Sequence, residues 1–593
     1  MCGLMATNLT FSLNNLIKSL DTLNKRGPDE RNYILYNDIF LGHTRLSITG
    51  DNGTQPFYIP NKLICLVNGE FYDYKNIKKN LIAEGYVFKT DSDSEILVNL
   101  YLKYGMRCLD YLNGEFSFIL YDIEKSIIYA TRDRFGTKPL YFYEKDNKFI
   151  FASSLDTIKE LVGKFELDEF ILKFVQCLQY QPQSKTLFKN INQVMPAQYI
   201  RYCINNKVYT EHMYWSRKNP TNIDTDLEHI KFLVTDSIKK RIPDIPFACH
   251  LSGGIDSSII SIIANQCKNT TAFSVNFTDD NFYSEYEYAK KTALSNDINL
   301  IEVPVSLLDI FNNLENAIYD SNGISINGHI VAKYLLNKEI NKHGLKVSLS
   351  GEGADEIFYG YSHFSNATSF NKKYLTGIQL PSENQLDTSY IKKIIGNVPT
   401  WINAKASIGF ELYNMSNLTF TDDVYYYFIN EYLSSTEVTS KEKLLIATDS
   451  WSKYALNGYL LNTLDDSMSM NFSIEGRIPY LDKDLVEYIS LLPIKSNFDE
   501  LGGKSLLRKS FNNIIPAHII NKPKQSFMSP SITYLLKDKI YKKYFTDLIL
   551  NSKIAQYYNK EKIIEFINKD LTYSNEPPLM IIISLAILSN KFL

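Results

Sequence analysis

The sequence predicts two domains, a layered β-rich one followed by an α/β one built on a parallel sheet with extra helices. Three observations predict it. A chain of 593 residues is too long for one ordinary hydrophobic core. Its first third consists of short alternating runs broken by Gly, Asn and Asp, and this texture ends in a polar stretch at 216–226. Beyond that stretch, apolar runs end in glycines and lead into helical patterns, the strand–turn–helix rhythm of a parallel sheet.

Taken in order, the runs at 62–67, 116–121 and 126–130 read as strands of the first domain. The stretch 216–226, with Pro220, reads as a linker, which sets the domains at 1–215 and 227–593. In the second domain 247–251 precedes a helical stretch at 257–266, Thr271–Phe277 precedes another at 285–295, and 345–349 ends in a further Gly-rich turn. Ligands of such sheets collect at the carboxyl ends of the strands. From about Tyr361 onward the pattern is chiefly helical, and 366–440 carries no recognisable chemistry. The apolar run 579–589 falls short of the ~20 residues that span a bilayer and reads as a buried helix.

Composition narrows the function. With 45% hydrophobic and 22% charged residues the chain has the balance of a globular protein, and a net charge of −3 gives no global attraction to nucleic acid or an anionic membrane. Seven cysteines without a CxxC pair suggest neither a disulfide framework nor a zinc site, and no secretory signal follows Met1, so a cytoplasmic location is expected.

Two segments carry chemistry. Cys2 becomes a terminal nucleophile if Met1 is removed, because an α-amino group of pKa about 7.7–8.0 can accept the proton of a thiol of about 8.5. A second-position cysteine among seven is weak alone. Further on, His250-Leu251-Ser252-Gly253-Gly254-Ile255-Asp256-Ser257-Ser258 follows a strand and opens a helix. Its glycines and serines form a phosphate cradle without the lysine of a GxxxxGK[ST] loop. After another strand, Ser350-Gly351-Glu352-Gly353-Ala354-Asp355-Glu356 brings more carboxylates; Asp256 and Asp355 are the candidate Mg2+ ligands, since hard cations favour carboxylate and phosphate oxygen.

Around Cys2, the segments Arg26-Gly27-Pro28-Asp29, His43-Thr44-Arg45-Leu46-Ser47-Ile48, Asn68-Gly69-Glu70-Phe71-Tyr72, Ser92-Asp93 and 132–140 resemble, in order, the signatures of class II glutamine amidotransferases. The resemblance implies that Cys2 attacks the glutamine amide and that Arg45, with Leu46, Ser47 and Ile48, holds its α-carboxylate. It further implies that Asp93 takes the ammonium with Glu70 beside it, and that Asn68 and Gly69 form an oxyanion hole.

The loop at 250–258 resembles the SGGxDS loop of N-type ATP pyrophosphatases. That likeness implies ATP bound by Leu251, Ser252, Gly253, Gly254, Asp256, Ser257, Val275, Ser350 and Gly351, with Glu352 close to the reacting carboxylate. Ser473-Ile474-Glu475-Gly476-Arg477-Ile478-Pro479-Tyr480-Leu481-Asp482 looks like a further family segment, and Lys504 matches a lysine that neutralises phosphate.

From Cys2 to about Pro530 the whole resembles glutamine-hydrolysing asparagine synthetases of the bacterial B type. The fold so implied is a four-layer αββα Ntn-hydrolase-like glutaminase joined to an ATP pyrophosphatase domain, in a possible homodimer. The reaction implied uses glutamine, ATP and Mg2+ to amidate aspartate, with ammonia carried through a tunnel. Three departures bear on the acceptor: Ser467 replaces a usually basic residue, Asn327-Gly328-His329 stands where a Pro-containing turn is common, and His250 occupies a usually apolar strand position. Alternative acceptors are a nucleotide-sugar uronic acid or a secondary-metabolite carboxylate; a non-catalytic homologue is the reading from another class.

Overall fold

The computed structural model describes residues 2–8, 11–50, 52–146, 148–221, 223–279, 282–366, 382–433, 443–522, 525 and 527–593. Alternation along its strands explains the layering of the first domain. In strand Gly3–Asn8, Leu4 and Ala6 enter one core and Met5 the next. The core of Leu4 and Ala6 lies between two six-stranded antiparallel sheets and is completed by Leu66, Ile119 and Ala130 of the facing sheet. Met5 instead meets Leu16 and Leu20 of helix Leu13–Asp21. On the far side, Leu81 of helix Tyr74–Ala83 and Ile96, Leu97 and Leu100 of helix Glu95–Tyr104 cover Val67, Phe116 and Phe118. Helix, sheet, sheet, helix is the expected αββα order.

Two pairings place chemistry. Strand Gly3–Asn8 runs beside Ile39–Arg45 with Gly3 opposite Thr44, so Cys2 emerges next to Arg45 and Leu46. Strand Leu63–Tyr72 pairs with Asn113–Asp122, Asn68 opposite Ser117. Asn68 and Gly69 therefore lie within a strand and form no hairpin turn.

Residues 216–221 have no regular structure and run along helix Lys483–Leu491, where the Thr221 N–H donates to the Leu491 carbonyl (2.8 Å). The second domain is built on five parallel strands in the order Asn299–Val305, Thr271–Phe277, Ala248–His250, Val347–Leu349, Glu475–Arg477. The sequence reading missed both edge strands. Asn299–Val305 is half exposed and interrupted by Pro304, and Glu475–Arg477 has three residues, two of them charged, so neither shows an apolar run. Chain order reverses between Ala248–His250 and Val347–Leu349, the switch point at which ligands of such sheets bind.

Helix Glu576–Phe592 is buried on nearly every side, and no helix among the described residues is long and apolar enough to cross a membrane. Part of the stretch without recognisable chemistry, 367–381 and 434–440, lies outside the described residues. Between those segments, helix Thr400–Met415 buries Trp401 and Lys405. Ser452–Asp466 is wound as a π-helix, a form rare at this length and common near functional sites. From it Asn457, Asn462 and Asp466 reach Gly136, Arg132 and Arg26 of the first domain.

Candidate active sites

The first site forms where three strands of the first domain meet the second domain. Cys2 is 8% exposed, and its backbone N–H donates to Asn68 Oδ1 at 2.9 Å. Burial pushes its thiol up; the Leu46 N–H and the charge of Arg45 pull it down. Arg45 pairs with Glu30 at 2.9 Å and donates to the Gly50 carbonyl at 2.6 Å. The Ser47 N–H is held by Asp29, Leu46 is buried, and Ile48 packs on the core of the second domain.

Gly69 has φ +149°, and a Cβ there would stand 2.1 Å from the Glu115 carbonyl, so only glycine lets the strand pass. The Asp93 carboxylate accepts the Phe71 N–H at 2.8 Å, and burial, helped by Glu475, pushes it up to about 6. Glu70 accepts from Thr49 and lies 3.2 Å from Arg477, a residue of the second domain. Burial and the neighbouring Asp93 push Glu70 well above the usual carboxylate range. Glu475, which shares Arg477 at 2.7 Å, is held down to about 2 despite burial by the positive charges around it. The structure thus brings Cys2, Arg45, Leu46 and Asn68 together, sets Glu70 beside Asp93, and adds Glu475 and Arg477 from the other domain.

The second site is a cavity at the switch point, with about 320 Å³ of open space. Ser252 and Gly254 line it from one loop, and Ser350, Gly351 and Glu352 from the other. Leu251, Ser257 and Val275 complete that wall. Gly253 does not line it. Its φ of +82° turns the loop tightly, and a Cβ there would stand 2.8 Å from the Glu285 carbonyl. Lys504 contacts Asp256 and Asp355 at 2.5 Å each, so both carboxylates face one spot beside the cradle.

That donor set fits a magnesium ion. Two hard-oxygen ligands beside a phosphate cradle match its habit of binding through one or two carboxylates plus substrate phosphates. Gly254 leaves the cradle open, since a Cβ there would meet nothing nearer than Ser252 Oγ at 3.5 Å. The buried Ser350 Oγ has no protein hydrogen bond, leaving a polar atom for a ligand.

Glu352 pairs with Lys333 at 2.8 Å. Burial works against the Lys333 charge, but Glu352 and Asp465 outweigh it and hold the ammonium protonated above its ordinary range. Burial pushes Asp465 up to about 7. Neither Lys333 nor Asp465 was found from the sequence. Lys333 lies in helix His329–Lys342, whose lysines look alike in the sequence until one faces a cavity. Arg477 stood within a recognised segment, but its reach into the first domain had no local signal.

With this geometry in hand, the comparisons with known proteins bear on both sites. A glutamine amidotransferase domain model matches residues 1–215, a class of domain that takes nitrogen from glutamine. An asparagine synthase model matches residues 229–587. The chain belongs to the asparagine synthase family, a family of glutamine-hydrolysing carbon–nitrogen ligases. Asparagine synthetase [glutamine-hydrolyzing] 1 of Bacillus subtilis is 28% identical over 583 residues, covering 94% of this chain and 90% of that protein. Amidase chyE of Penicillium rubens is 26% identical over 622 residues, covering 93% and 88%. Asparagine synthetase [glutamine-hydrolyzing] 3 of Bacillus subtilis is 27% identical over 563 residues, covering 89% and 87%.

Proposed function

We propose that the chain is a glutamine-dependent amidotransferase that hydrolyses glutamine at Cys2 and uses the ammonia to amidate a carboxylate activated by ATP. What carries this reading is the pairing of Cys2 with Asn68 on one side and the meeting of Asp256, Asp355 and Lys504 on the other.

In the first half-reaction, with Met1 removed, the nitrogen now held by Asn68 is the α-amine and takes the thiol proton. The sulfur then attacks the glutamine amide carbon. Arg45 and Asp93 hold the two charged ends of the amino acid, so free glutamine is preferred to side-chain amides in proteins. Asn68 Nδ2 and the Gly69 N–H stabilise the oxyanion. Ammonia leaves with the proton, and water releases glutamate from the thioester.

In the second, an oxygen of the acceptor carboxylate attacks the α-phosphorus of ATP and pyrophosphate departs. Lys504 faces the growing negative charge. Asp256 and Asp355 are the residues that would hold Mg2+, which when bound neutralises the departing pyrophosphate. Ammonia attacks the activated acyl carbon, the bond to AMP breaks, and one proton is released, with Glu352 placed to receive it. A dry route between the sites keeps ammonia unprotonated and nucleophilic. Arg477 links the two sites, because its carbonyl accepts the Ser350 N–H (3.1 Å) while its side chain reaches Glu70.

Aspartate is the acceptor named by the family; the aromatic cavity and the amidase relative favour a different carboxylate. The test of the divided mechanism is Cys2→Ala. Glutamine-dependent AMP formation is expected to vanish while ammonium chloride still supports it at a rate near that of the parent protein. Loss of both activities in a folded variant would sink the reading.

A further inference from the structure

Part of the lining of the synthetase cavity is made of rings. Tyr180, Tyr361, His363, Trp451 and Tyr459 all line it. They hold one another in place: Tyr180 stacks on Tyr459 at 4.7 Å between centroids, Tyr361 on His363 at 5.2 Å, and His363 meets the edge of Trp451 at 4.6 Å. Such a wall presents flat faces, and its only polar side-chain atoms are the uncharged hydroxyls and ring nitrogens these residues carry.

The charged side chains of the lining already face opposite charges. Lys333 is paired with Glu352, Lys504 with Asp256 and Asp355, Arg508 with Asp499, and Lys522 with Glu285. Among the described residues that line the cavity, every lysine and arginine faces a carboxylate, and Asp256 and Asp355 share the one ammonium of Lys504 at the position assigned to Mg2+. Asp465, behind Lys333, is not one of the lining residues.

Several neutral polar atoms of the lining have no protein partner. Both ring nitrogens of His363 and of His250 lack a protein partner, although the residues are only 3% and 8% exposed and line the cavity. Burial, reinforced by Lys405, pushes His363 down to about 3, and burial with Lys333 takes His250 well below its ordinary value. Each is a neutral imidazole with one donor and one acceptor to offer.

An amino-acid acceptor fits this lining poorly. Besides the carboxylate that reacts, it brings an ammonium and a second carboxylate, and both would lose water without gaining an opposite charge. An aromatic acid with one carboxylate brings a single charge, and that charge is removed when the acyl adenylate forms. Its ring gains stacking from the wall.

We propose that the acceptor is an aromatic monocarboxylic acid with a neutral hydrogen-bonding substituent, its ring lying against Tyr361, His363 and Trp451 and its substituent meeting the imidazole of His363. The proposal rests on the amidotransferase reading and names the substrate class within it.

The experiment uses the full chain with MgATP and ammonium chloride, which bypasses the glutaminase, and follows pyrophosphate release with benzoate, the three hydroxybenzoates, aspartate and glucuronate. At least one hydroxybenzoate is expected to exceed aspartate about tenfold or more in kcat/KM. His363→Phe keeps a ring but removes the nitrogens, and is expected to cut the preference for that hydroxybenzoate over benzoate about tenfold, the worth of one hydrogen bond. Faster release with aspartate or glucuronate than with any aromatic acid overturns this inference and leaves the amidotransferase reading standing. Release with none of the acids overturns both. An aromatic preference that His363→Phe leaves unchanged removes His363 from the proposal.

Discussion

At the scale of single residues, the glutaminase site depends on a carboxylate whose ionisation lies close to working pH. Burial pushes Asp93 up to about 6, and only its anion can hold the ammonium end of glutamine. As pH falls through about 6 the fraction ionised falls, so the KM for glutamine is expected to rise, approaching tenfold per pH unit below that point. Above it, KM levels off. Measuring KM from pH 5 to 8 checks this, with Asp93→Asn as the control that removes the inflection; a flat profile in the parent protein would count against the role of Asp93. The residue's type and place were legible in the Ser92-Asp93 segment, but its shifted ionisation was not, because the shift comes from burial and from Glu475, hundreds of residues away in the chain.

Among the elements, the loop between strand Ala248–His250 and helix Ile255–Cys267 shows how backbone shape makes a site. Gly253 does not line the cavity, yet its φ of +82° and its closeness to the Glu285 carbonyl and the Ala289 N–H allow no side chain. Gly253→Ala is expected to raise the KM for ATP at least tenfold by displacing the turn that carries Ser252 and Gly254. Glutamine hydrolysis at Cys2 should stay within about twofold of the parent rate. Steady-state assays of the two half-reactions separate these effects, and unchanged ATP kinetics would show that the turn tolerates a methyl group. The glycines were visible as a cradle in the sequence; that one of them serves the turn and the other the ligand needed the dihedral angle and the neighbouring helix.

Across the whole molecule, the two domains meet through buried charges. Arg477 faces both Glu475 and Glu70, Arg26 makes two bonds to Asp466, and Glu115 lies among Lys138, Arg241 and the Ile478 N–H. Buried ions of this kind are weak contributors to stability when intact, but removing one partner strands the other. Arg477→Met is expected to cost about 3–5 kcal/mol in chemical denaturation by leaving Glu475 without its guanidinium. It should also raise the KM for glutamine, since Glu70 would lose its link to the second domain. A stability change under about 0.5 kcal/mol would mean that other cations take over the two acids.

The sequence by itself determined the order of the two domains, a layered β-rich first domain and a parallel-sheet second one, and the short segments that carry the family resemblance. Those features are local: alternation, glycine turns and motif spacing are written within a dozen residues. Only the tertiary structure decided that Glu475–Arg477 closes the parallel sheet while reaching the glutaminase, that Lys333 engages Glu352, and that rings from residues 180 to 459 meet in one wall. Such contacts join positions up to hundreds of residues apart, and their geometry is set by packing and by the burial of charge, which no stretch of chain expresses alone.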